Sequence, residues 1–110
     1  MNEEKRAKKA LESAYHNHRS NPNDPQTMLQ LSCEIVNTLR FTKDVNLNQA
    51  ISLSRKAFRL DESLTPALYW EGAAQYHAGY YKRAAETFRK FIELTQDKDK
   101  YKDLRDSAND

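Results

Sequence analysis

The C-terminal half of the chain overlays on itself at a shift of 34 residues. Residues 53–60, Leu53-Ser54-Arg55-Lys56-Ala57-Phe58-Arg59-Leu60, fall on residues 87–94, Thr87-Phe88-Arg89-Lys90-Phe91-Ile92-Glu93-Leu94, and Ala50 falls on Ala84. A period of this length is the span of one helix-turn-helix unit, and such a unit buries its apolar face only by stacking on a neighbour. The remaining sequence agrees with an all-helical chain. Only Pro22, Pro25, Pro66, Gly72 and Gly79 punctuate it, and no stretch alternates apolar and polar residues beside a hairpin signal.

The three-and-four spacing of apolar residues marks five helices. Ala7, Ala10, Leu11, Ala14 and Tyr15 make one stripe over residues 3–19, which stops at Ser20-Asn21-Pro22-Asn23-Asp24-Pro25. Asp24 then caps a second helix whose first turn holds Pro25, a position where no amide hydrogen is missed. Met28, Leu31, Ser32, Ile35, Val36 and Leu39 are its inward set. The pattern lapses from Phe41 to Asn46, and Asn46 or Asn48 caps a third helix bearing Leu47, Ala50, Ile51, Ser54, Ala57, Phe58 and Leu60. Thr65-Pro66 opens a fourth helix in the manner of Asp24-Pro25, with Leu68, Tyr69, Gly72, Gln75 and Tyr76, and Gly79 ends it. A fifth runs over residues 81–94 with Ala84, Ala85, Phe88, Phe91 and Ile92 inside. Beyond it Tyr101 and Leu104 are the large apolar residues of a tail that is either a short docking helix or frayed.

Composition fits one thin, closely packed helical domain. The chain has 110 residues and a net charge of +2, and a domain of this size hides about 65% of its extended-chain surface. Leu, Ile, Val and Phe number only 20, while twelve Ala and six Tyr supply much of the remaining apolar content. One cysteine, Cys33, makes no internal bridge. No apolar run reaches membrane-spanning length, and Met1 is followed by charged residues rather than a signal sequence. The expectation is a soluble cytoplasmic chain, or a periplasmic one if a leader has been removed.

Residues 67–94 read A-x4-G-x6-G-x-Y-x2-A-x3-F-x2-F-x2-L, a pattern that resembles the tetratricopeptide repeat. Gly72 stands at the closest approach of the paired helices, Gly79 at the turn, Tyr81 just after it, and Ala84 and Phe88 at the small and large inner positions. Leu68, Glu71, Gln75, Phe91 and Gln96 depart from the pattern, replacing Trp, an apolar residue, Tyr, a small residue and Pro. The resemblance divides a single domain over 1–110 into a half-repeat at 3–19, an irregular repeat at 25–60, a regular repeat at 65–94 and a tail at 95–110. It implies an all-α, right-handed superhelical stack of antiparallel helix pairs, five to six helices in all, whose first helices line a concave groove for a peptide or partner helix. The irregular repeat has a hairpin about six residues too long for the period. Residues 40–47 are therefore an enlarged loop, and a short Gly/Ser replacement of residues 40–46 is expected to cost roughly a few tenths of a kcal/mol.

Catalytic chemistry finds little support. His16 and His18 are two apart on a helix and point about 200° from each other, so they do not chelate one ion and read as solvated helix-end residues. His77 stands alone near a turn. Cys33 reads as a buried thiol rather than a nucleophile, two glycines build no phosphate loop, and no carboxylates are paired. No enzyme, cofactor or metal is expected. Lys5, Arg6, Lys8 and Lys9, then Arg55, Lys56 and Arg59, then Lys82, Arg83, Arg89 and Lys90 form basic clusters. The resemblance places them on the convex side, where acidic residues dilute them, so nucleic acid is the less favoured partner and an RNA- or ribonucleoprotein-associated factor the alternative function.

Carried over position by position, the resemblance places Gln26, Leu29, Cys33, Val36 and Asn37, then Pro66, Tyr69, Trp70, Ala73, Tyr76 and His77, on the concave side. Lys and Arg are absent there, which disfavours a clamp for the acidic tails of heat-shock chaperones. Tyr and Trp suit an apolar or amphipathic segment. The expected function is thus a protein-protein interaction module, an adaptor or chaperone binding through Leu29, Cys33, Val36, Asn37, Tyr69, Trp70, Ala73, Tyr76 and His77. A long-hairpin repeat before a regular one resembles the repeat domains of cytochrome c maturation, and is compatible with type III secretion chaperones for translocators. The open alternative is that the first helix or the tail folds over this surface and completes the core.

Overall fold

The computed structural model describes residues 2–96 and Ser107. Five helices follow one another, α1 (Glu3–Ser20), α2 (Pro25–Thr38), α3 (Leu47–Leu60), α4 (Pro66–His77) and α5 (Tyr81–Thr95), and no strand occurs among the described residues. Each helix packs on the next, and α2 also touches α4. The protein is all-α, a consecutive stack of helices. None of them is long and apolar enough to cross a membrane. The tail expected as a docking helix or a frayed end lies outside the described residues, apart from Thr95, Gln96 and Ser107.

The helix starts follow the side-chain oxygens available to orphan amides. Asn2 accepts from the amide of Lys5 at 2.8 Å and Asp24 from that of Gln26 at 2.9 Å. Between the two candidates for α3, Asn46 is the cap, its Oδ1 3.0 Å from the amide of Gln49. Glu3 and Glu4 in the first turn of α1 and His18 and Arg19 in its last turn match the helix dipole. Thr65 departs from expectation. It sits in helical backbone with no side-chain cap bond, and its hydroxyl is buried and unpartnered, so Pro66 alone marks that start. The end of α4 is a Schellman turn: Tyr80 donates to the carbonyl of Gln75 at 2.9 Å and Gly79 to that of Tyr76 at 3.0 Å. Gly79 has φ +91°, which a side chain would strain.

Ala14, Leu31, Ile35, Val36, Ala50, Ile51 and Ala74 form the main core cluster, and Met28, Ala57 and Ala67 a second one between α2, α3 and α4. Small residues at the contacts let backbones approach, and polar groups use that closeness. Ser32 of α2 donates to the carbonyl of Ala50 at 2.8 Å, binding α2 to α3, and Ser54 donates to the same carbonyl at 2.8 Å from the next turn of α3. Tyr15 reaches from α1 to Gln49 of α3 at 2.9 Å.

Glu71 and Gln75, two departures from the repeat pattern, account for each other. Glu71 Oε2 accepts from Arg55 Nε at 3.2 Å and from Gln75 Nε2 at 3.0 Å, while Gln75 Oε1 lies 2.7 Å from Thr87 Oγ1. The chain of contacts joins α3, α4 and α5. Gln75 is 1% exposed, so its amide depends on these partners.

The enlarged loop at 40–46 is not the neutral connector expected. Val45 packs against the main core cluster, Arg40 pairs with Glu3 at 3.6 Å and lies over the ring of Phe41, and Asn46 is the cap of α3. Loop-closure entropy alone therefore understates the cost of replacing it. Asn46→Ala should lower the unfolding free energy by about 1 kcal/mol in urea titration, while Asn48→Ala changes it by less than about 0.5. Equal effects would contradict the cap. Glu71→Leu, although it restores an apolar residue, should cost about 1 to 3 kcal/mol by leaving the Gln75 amide unpaired; a neutral result in the same titration would show the network to be idle.

Candidate functional site

Tyr69, Ala73 and Tyr76 follow an i, i+4, i+7 line and share one face of α4. The Schellman turn sends α5 back antiparallel, and Ala85, Phe88 and Ile92 of α5 lie across from them. Between the two helices runs a groove of about 820 Å³, lined also by His77, Tyr81, Ala84, Arg89 and Ser107. Its floor rests on one close approach. A Cβ placed on Gly72 would stand 2.6 Å from Phe88 Cε1 and 2.7 Å from Cδ1, so the ring occupies the space a side chain would take.

Aromatic rings extend from this contact along the groove. The Tyr69 ring is 5.9 Å from those of Phe88 and Phe91 and meets Trp70 edge-on at 5.1 Å. At the other end Tyr76 meets Tyr81 at 5.3 Å and His77 at 5.5 Å. Tyr76 is 54% and Tyr81 64% exposed, a large apolar area for two neighbouring residues to leave in water. The Tyr69 hydroxyl lies 3.1 Å from Ser107 Oγ.

Of the expected binding residues, the structure brings Tyr69, Ala73, Tyr76 and His77 to this groove. Trp70 instead packs against the main core cluster, and Val36 is part of it. Leu29 packs against the Met28 cluster. Cys33 and Asn37 contact each other at 3.4 Å on α2, and they, Gln26 and Pro66 do not line the groove. The aromatic surface thus opens between α4 and α5, not between α2 and α4, because α2 and α4 touch directly.

The α5 side of the site was not among the expected binding residues. Ala84, Ala85, Phe88, Phe91 and Ile92 were all placed inside, yet only Ala84 and Phe91 are buried, while Ala85 is exposed and Phe88 and Ile92 half-buried. The signal was the width of the apolar stripe on α5, part of which packs on α4.

Three of the clustered basic residues on α3 and α5 make contacts within the chain. Arg55 pairs with Glu71, Arg83 lies 5.8 Å over Tyr80 and Lys90 5.1 Å over Phe58. No group of His, Cys, Asp and Glu that could hold a metal occurs among the described residues. His16 is exposed, but His18 is half-buried with Nδ1 shielded and unpartnered, so the expectation of two solvated histidines fails for His18. No protein-family model matches the sequence, and no curated protein matches it.

Cys33 is half-buried on α2, and burial with the charge of Glu34 pushes its thiol up to about 11, against a smaller lowering by Asn37. The thiolate is the reactive form. At pH 8 alkylation of Cys33 by iodoacetamide should therefore run on the order of a hundredfold slower than that of an exposed cysteine. A rate matching the exposed thiol would contradict this environment.

Proposed function

We propose that the protein is a tetratricopeptide-like interaction module that holds the apolar face of an amphipathic helical segment in the groove between α4 and α5. The observation that carries this reading is the pairing of exposed Tyr76 and Tyr81 with Ala73, Ala85, Phe88 and Ile92 in one continuous groove. Small residues in the middle leave room for a helix, and rings at both ends give it rigid anchors with polar tips. Arg89 and His77 are the groove's basic side chains. A holder of hydrophobic segments, of the secretion-chaperone kind, suits this chemistry better than a gripper of carboxylate tails.

The alternative of an RNA-associated factor draws on the basic clusters, and Arg55, Arg83 and Lys90 already make the intramolecular contacts described above. Peptide display against the immobilised chain, followed by calorimetry with a selected peptide, separates the two. Tyr76→Ala and Tyr81→Ala should each weaken binding by about 1 to 3 kcal/mol with little change in melting temperature. Reversal of Lys82, Arg83 and Lys90 to Glu should leave the affinity nearly unchanged, as should added salt. Loss of binding on charge reversal, with the tyrosine variants affecting only melting, would overturn the assignment.

A further inference from the structure

We propose that the cleft between α3 and the α4–α5 turn is a second binding site, one that takes a phosphate group carried by the partner segment just past the apolar face held in the groove. The phosphate site stands on its own observations; its placement on the partner rests on the binding reading above. The cleft has a volume of about 790 Å³ and is lined by Arg55 of α3 and by Lys82 and Arg83 of α5, with Asn48 and Ser52 beside them. No carboxylate lines it among the described residues. Three cations from two helices thus share one cleft without a balancing acid, and a dianion relieves their mutual repulsion. Each keeps donors to offer. Arg55 meets Glu71 through Nε at 3.2 Å, and its terminal nitrogens make no hydrogen bond among the described residues. Arg83 lies over the ring of Tyr80, a contact that uses no N–H bond, and Lys82 has no ion pair among the described residues.

The start of α5 adds to the same field. Tyr80 gives it no side-chain cap bond and its first turn holds no acid, whereas α1 has Glu3 and Glu4 there. The amides of Tyr81, Lys82 and Arg83 come before the first helix bond, from Ala84 to the carbonyl of Tyr80 at 2.9 Å, so two like charges stand beside a positive helix end. A phosphate ester brings about two negative charges and several strong acceptor oxygens, where a carboxylate brings a single charge. A nucleic-acid backbone needs a run of such sites. The neighbouring cavity that holds Arg59 and Lys90 also holds Glu62, Glu71 and Glu86, so the field ends with this cleft. Tyr81 lines both the cleft and the groove, and a segment that leaves the groove past that ring enters the cleft. This points to a phosphorylated side chain on the segment itself.

Display-selected peptides carry no phosphate, and the reversal of Lys82 and Arg83 is therefore expected to spare their affinity. Calorimetry with a selected peptide, extended at each terminus in turn by Gly-Gly-phosphoserine or by Gly-Gly-Ser, tests the placement. At one terminus the phosphate should tighten binding at least about tenfold. The gain should vanish in the double variant Lys82→Glu/Arg83→Glu, which puts acid where the helix dipole favours it and so keeps the fold. Equal affinity of the phosphorylated and unphosphorylated peptides at both termini would overturn the placement. The cleft itself is read without any peptide, by amide NMR at constant ionic strength. Inorganic phosphate should shift the amides of Ser52, Lys82 and Arg83 saturably in the wild type and not in the double variant, and chloride should shift them in neither. Absence of these shifts would overturn the site, and a selected peptide that still binds through Tyr76 would then show the groove reading to survive. Phosphate shifts in a chain for which display selects no peptide would keep the site and overturn its placement. Binding to phosphatidylcholine vesicles containing phosphatidic acid, dependent on Lys82 and Arg83 and without a phosphopeptide gain, would assign the cleft to lipid and overturn the proposal.

Discussion

The missing side chain at Gly72 sets the geometry of the C-terminal half of the molecule. The Phe88 ring occupies the volume that a Cβ would need, so α4 and α5 meet ring against backbone. Phe88 held there lies beside Tyr69, which in turn meets Trp70 and Phe91. The line of rings thereby connects the groove floor to the core cluster against which Trp70 packs. A methyl at position 72 would have to move Phe88, and with it the floor of the groove, since interiors are packed too densely to absorb an overlap of that size.

Close approach recurs elsewhere in the stack and explains the alanine-rich composition. Ala14, Ala50, Ala57, Ala67 and Ala74 are fully buried, and they stand where large residues would hold neighbouring helices apart. Ser32 of α2 reaches the Ala50 carbonyl of α3 because the backbones are near enough for a short hydroxyl. Longer polar side chains also bridge helices, as Arg55, Glu71, Gln75 and Thr87 do. Hydrogen bonds of this kind contribute modestly when made and cost more when half removed, so they select one arrangement of the three helices.

The helices were legible in the sequence because their boundaries are chemical. Asp24-Pro25 and Gly79 mark ends that local geometry requires, and apolar spacing fills in between. Thr65 was misread because a hydroxyl before Pro signals a cap only if the backbone is extended, and here it is helical. The loop at 40–46 was misread because Phe41 and Val45 are isolated apolar residues in a polar stretch, and two residues so placed carry no periodicity. Half of the site was legible: Tyr69, Ala73 and Tyr76 share a face by spacing alone. The opposite wall was not, because spacing shows which face of α5 is apolar but not which part of it a neighbour covers. Glu71 and Gln75 looked like isolated departures because their partners, Arg55 and Thr87, lie on other helices.

The central claim is that the groove founded on the Gly72 contact is the binding surface, and the affinity of a display-selected peptide for Gly72→Ala tests it most directly. The account predicts an affinity at least about tenfold weaker than that of the wild type, with helix content by circular dichroism unchanged, because the displaced Phe88 ring enters the groove. Wild-type affinity in a folded Gly72→Ala chain would contradict it.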